Sequence, residues 1–121
     1  MTLLKKLFSE RFNFVFNAFF AILTLAIPII LYRFIFLTTF LLSIVAIVGL
    51  YRWKSFTSSF IFIFGLLFGV TSEIIAIHFG VWEYRFTNFF NVPLWLFIVW
   101  GNSAVFIYQT ALEFTKITGK K

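Results

Sequence analysis

The chain has 121 residues, of which 62% are hydrophobic and 24% aromatic, with only 12% charged and a mean hydropathy of +1.03. That composition excludes an ordinary soluble domain and indicates an integral membrane protein. The net charge of +6 comes from Lys and Arg at the flanks of apolar runs, where they meet lipid headgroups, so no nucleic-acid partner is expected; the absence of Cys removes disulfides, thiolate nucleophiles and cysteine metal sites.

The chain opens with "MTLLKKLFSERF", a basic segment ahead of a first apolar run at residues 12–31. That run exceeds the about 7–15 residues of a secretory signal core and lacks a small-x-small cleavage site, so it reads as a retained signal anchor. Pro28, in its last turns, predicts a kink there. Further apolar runs follow at 34–51, 56–79 and 93–113, each close to the roughly 20 residues that cross a bilayer core. "SSFIFIFGLLFGV" and "FLLSIVAIVGL" are apolar on every side, whereas a spanning barrel strand alternates. The expected fold is therefore all-α, a polytopic four-transmembrane-helix bundle forming a single domain over residues 1–121.

Lys5, Lys6, Arg11, Arg52, Lys54, Lys116, Lys120 and Lys121 fall on one side of such a bundle and only Arg33 and Arg85 on the other, which predicts that both termini are cytoplasmic. The protein is expected as a multi-pass component of the cell membrane. Its lipid partner is the bilayer itself, and a bundle this small is expected to assemble further, with itself or with another chain. Tyr32, Tyr51, Trp53, Trp82 and Tyr84 lie at the expected interfaces, as an aromatic belt would place them. Only the loop from about residue 80 to 92 is long enough to cap an opening.

Within the third run Gly65, Gly69, Ser72, Ala76 and Gly80 recur at steps of three or four, a small-residue stripe that brings a neighbouring backbone close. Glu73 lies beside that stripe. An ionisable group in hydrocarbon costs on the order of 2.5–3.5 kcal/mol on insertion scales, so it is retained mainly where it faces the bundle interior or performs a task. Counting inward from the outer boundary places Trp100, Gly101, Asn102, Ser103 and Thr24 at a comparable depth, and these are the expected neighbours of the carboxyl. Desolvation disfavours the charged form, and a neutral acid among aromatic rings suits protonation of a carbon–carbon double bond in a lipid-soluble substrate. The competing structural reading makes Glu73 interhelical glue, hydrogen-bonded to Asn102 or Ser72.

His78 is five residues beyond Glu73 and about 140° around the helix, so the two cannot share a ligand while the helix is intact. With one His and four acidic residues, no metal site is expected, nor any cofactor, and His78 reads as a polar helix end.

The string "EIIAIHFGVWEYRF", followed by "NVPLWLFIVW", resembles membrane carotenoid-biosynthesis proteins, the group that includes bisanhydrobacterioruberin hydratase, and more loosely the subunits of heterodimeric lycopene cyclases. The resemblance covers about residues 69–101. It implies acid-catalysed hydration or cyclisation of an isoprenoid or carotenoid, with Glu73 catalytic and Trp82, Tyr84 and Trp100 beside the substrate; Asn102 joins them by its depth. The cyclases carry acidic residues just after their proline, whereas Pro93 is followed by "LWLFIVWGNSA". A partner chain completing the site, or a relative that keeps the fold without the reaction, would account for that. Two alternatives stand beside this reading: a non-catalytic accessory subunit of a membrane complex, and a small proton-coupled transporter, whose family carries its carboxylate in the first helix.

Overall fold

The computed structural model describes residues 2–119. A short helix, α1 (Thr2–Ser9), precedes α2 (Arg11–Leu31), α3 (Ile35–Trp53), α4 (Phe56–His78) and α5 (Trp95–Thr118), and the last four are long and apolar enough to cross a membrane. The fold is all-helical, with no strand among the described residues.

Several boundaries differ from the apolar runs, because helices continue where hydropathy falls. α1 occupies the segment that reads as a basic flank. Its Leu3, Leu4 and Phe8 are exposed, as a helix lying on a lipid surface would leave them. α3 continues to Trp53 and stops where Lys54 turns left-handed, at φ 47°. α5 starts two residues after the apolar run does, its entry made by i to i+3 bonds from the Leu96 and Phe97 N–H groups to the Pro93 and Leu94 carbonyls, and runs past Glu113 to a left-handed Gly119. α2 passes through Pro28 as one helix. Lys120 and Lys121 lie outside the described residues.

α5 is the centre of the bundle, packed most extensively on α4 and also on α2 and α3. The α2–α3 hairpin is closed by the fully buried Thr38, whose hydroxyl donates to the Leu31 carbonyl at 2.6 Å. α2 and α5 run antiparallel: Asn13 Nδ2 donates to Glu113 at one end, and eleven residues further along both helices Asn102 Nδ2 donates to Thr24 Oγ1 at 3.1 Å. Polar side chains such as Asn17, Ser58, Asn102 and Gln109 are buried, while Phe and Leu side chains cover the outside. This reverses the arrangement of a soluble domain and is the one a lipid surrounding demands, where polar groups find partners only between helices.

α4 and α5 approach through glycine. A Cβ on Gly65 would lie 2.4 Å from Ala104 Cβ, and one on Gly69 would lie 2.0 Å from the Trp100 ring. The seam of α4 therefore follows Gly65, Gly69 and the buried Glu73 in four-residue steps, leaving Ser72 exposed. Among the described residues no Cα of α2 comes within 8 Å of one in α4, and a cavity lies between them, floored by α5.

Candidate functional site

The gap between α2 and α4 holds Glu73, and the α4–α5 loop closes over it. α4 ends in a Schellman motif: Gly80 takes φ 78°, its N–H reaches the Ile77 carbonyl, and the Val81 N–H reaches the Ala76 carbonyl, each at 3.0 Å. That motif sends the chain back toward the bundle. At the other end of the loop Phe89 and Val92 exchange backbone hydrogen bonds around Phe90 and Asn91, whose positive φ values of 45° and 65° match a type I′ turn. Asn88 Oδ1 accepts from the Leu94 N–H at 2.9 Å, and Val92 and Pro93 are fully buried. With both ends anchored, Tyr84 is placed over Glu73.

The carboxyl accepts one hydrogen bond on each oxygen. The Tyr84 hydroxyl donates to Oε1, and the Trp100 indole N–H donates to Oε2. Trp100 reaches Oε2 by lying across Gly69, one turn before Glu73, so the glycine and the acid act together. The two donors are not equivalent. An indole N–H only donates, which fixes Oε2 as an acceptor, whereas a phenol donates or accepts. Oε1 is thus the oxygen whose neighbour can either give or take a proton. Burial, and then the hydrogen bond to Glu73, push the Tyr84 phenol above the ordinary tyrosine range, so it remains a neutral donor.

Around this pair is a cavity of about 310 Å³, lined by Thr24, Pro28 and Ile29 from α2 and by Trp95, Val99 and Ser103 from α5. Its walls are largely apolar. Leu25 and Ile29, on the α2 side, are also widely exposed, so the cavity opens sideways onto the apolar outer surface of the bundle. Tyr84 and Trp95 meet edge to face, with centroids 6.2 Å apart, and together they also line a neighbouring pocket of about 270 Å³ that contains Tyr32, Arg85 and Phe86.

Of the side chains singled out in the sequence, Glu73, Tyr84 and Trp100 come together, with Thr24 and Ser103 in the same cavity. Asn102 and Trp82 are elsewhere. Asn102 is fully buried against Thr24, one layer behind the cavity, and Trp82 lies on the outer side of the loop in a polar cup. The glue partners considered for Glu73 are replaced as well: Ser72 donates to the Gly69 carbonyl of its own helix. His78 is exposed, with its ring against Phe79. Trp95, on the same stripe of α5 as Asn102, Gln109 and Glu113, is an additional wall. Among the described residues no three His, Asp or Glu side chains gather as a metal site would require. No protein-family model, curated protein or solved structure matches the chain.

Proposed function

We propose that this protein uses Glu73 as a general acid on a carbon–carbon double bond of a lipid-soluble isoprenoid, which enters sideways between α2 and α4. One observation carries the reading: the carboxyl is held between a phenol and an indole at the wall of an aromatic cavity that opens onto the apolar outer surface of the bundle. A donor at Oε2 stabilises the carboxylate left behind when Oε1 gives up its proton, and Tyr84 then turns to donate as well. In the proposed step the Oε1–H bond breaks and a C–H bond forms at one alkene carbon, leaving a tertiary cation faced by the Tyr84, Trp95 and Trp100 rings. Addition of water with loss of a proton gives a hydrated product. Attack by a second double bond of the same chain, with loss of a proton, gives a ring. The resemblance of residues 69–101 to carotenoid hydratases and cyclases points to the same chemistry, and the Lys and Arg asymmetry supports cytoplasmic termini in the cell membrane.

The test is incubation of the purified protein with linear isoprenoid polyenes, followed by mass spectrometry. Hydration adds the mass of one water, cyclisation leaves the formula unchanged, and Glu73→Gln abolishes either product. An inert wild-type protein, or an active Glu73→Gln variant, overturns the reading.

A second reading has its own support. Both carboxyl oxygens are already bonded, as a purely structural staple between α4, the loop and α5 would be. In that case the protein serves as an accessory subunit, and Glu73→Gln leaves the complex intact and active.

A further inference from the structure

Tyr84 is the wall common to two unlike spaces. On one side is the cavity with Glu73; on the other is a cup of about 610 Å³ lined by Trp82, Glu83, Thr87 and Asn91 on the outer surface of the α4–α5 loop. The cup is the more polar of the two, and its Glu83, Thr87 and Asn91 are exposed. Each product route protonates one carbon and releases its proton from a different atom, so the carboxylate left at Glu73 must be handed a proton before the next turnover, and hydrocarbon supplies none. From these placements we infer that the cup is the water-filled inlet through which Glu73 is reprotonated, with the Tyr84 hydroxyl as the bridging group.

The step balances. The Tyr84 hydroxyl proton moves to Glu73 Oε1, and Tyr84 Oη takes a proton from a hydronium ion in the cup, which is left as water, so one proton passes inward and the phenol is restored. The hydrogen bond needed for the first transfer is already formed. Nothing else near the acid competes for this part: α2 and α5 contribute no titratable side chain to the Glu73 cavity, and the remaining ionisable groups around Tyr84 are Glu83 in the cup and Tyr32 and Arg85 in the adjoining pocket. The opposite route runs through the α2–α5 seam, where the fully buried Val105 of α5 interrupts it with an apolar side chain. Tyr84 is thus a positioning residue for proton supply as well as a partner of the acid, and its role deepens the reading of Glu73 as an acid, on which it rests.

The experiment uses the full chain in liposomes, sorted into one orientation by capture through an N-terminal tag, with pH set separately on the two sides. Dicyclohexylcarbodiimide, which reacts from lipid with protonated carboxyls, reports the Glu73 protonation state through an adduct found by mass spectrometry. Labelling is expected to rise when pH falls on the loop side and to ignore the side that carries the termini. Tyr84→Phe keeps the ring and removes the bridge, so the response to a pH step is expected to slow roughly tenfold or more. Thr87→Phe, which fills the cup and leaves the Glu73 cavity alone, slows the same response. Labelling that follows the terminus-side pH, or an unchanged rate in both variants, overturns the inlet while leaving the acid in place. No labelling of the wild type at any pH overturns both.

Discussion

Gly69→Ala strikes the point where the helix seam and the acid meet. The added methyl would lie 2.0–2.3 Å from three atoms of the Trp100 indole, whereas carbon atoms rest about 3.5 Å apart or more. The ring must retreat by about 1.5 Å. An N–H···O bond of ordinary length, about 2.9 Å, does not survive that displacement, so Glu73 Oε2 loses its donor. Overpacking of this kind costs about 1–3 kcal/mol, and an interhelical hydrogen bond in a membrane protein contributes about 0.6–2 kcal/mol, giving a combined loss of about 2–5 kcal/mol. Unfolding in mixed micelles with increasing denaturing detergent measures it. Trp100→Phe separates the two contributions: it removes the donor and shrinks the ring, so Gly69→Ala added to Trp100→Phe costs clearly less than Gly69→Ala alone. Additive losses, or a single-variant loss below about 0.5 kcal/mol, would refute the claim that Gly69 exists to seat the indole.

Three further outcomes follow from the same geometry. Glu73→Gln keeps an oxygen for Trp100 and an amide for Tyr84, so its stability stays within about 1 kcal/mol of wild type by the same detergent titration while acid chemistry disappears. Tyr84 has a folded-state pKa above its unfolded value, so its contribution to stability is complete below the ordinary tyrosine value of 10.0 and declines as pH rises beyond it. Phenolate absorbance developing above that range should be missing in Tyr84→Phe. Asn102→Ala removes a buried bond to Thr24 behind the cavity and costs about 1–2 kcal/mol in unfolding.

The spans and the class of fold were legible because hydrocarbon demands long apolar helices, and because a lone carboxyl inside one is conspicuous. Trp100 was legible too, since depth along antiparallel helices can be counted. Other parts of the site were not. Whether Glu73 faced Tyr84 or Asn102 depends on how the loop folds back, and that rests on the Schellman turn at Gly80 and on left-handed Phe90 and Asn91. Phe90 in that conformation carries no sequence signal, because an aromatic residue there is tolerated only when the buried Val92 and Pro93 hold the turn. Asn102 had the correct depth but the wrong azimuth. Trp95 shares a stripe with Asn102, Gln109 and Glu113, and that spacing marks a packing face of α5 without saying that the ring lines a cavity.

Isotope uptake tests the central claim most directly. With an isoprenoid polyene turned over in heavy water, a product carrying one non-exchangeable deuterium at the carbon that gained hydrogen, formed by wild type and lost in Glu73→Gln, is the expected result. Product free of deuterium, or deuterated product made equally well without the carboxyl, would contradict the account.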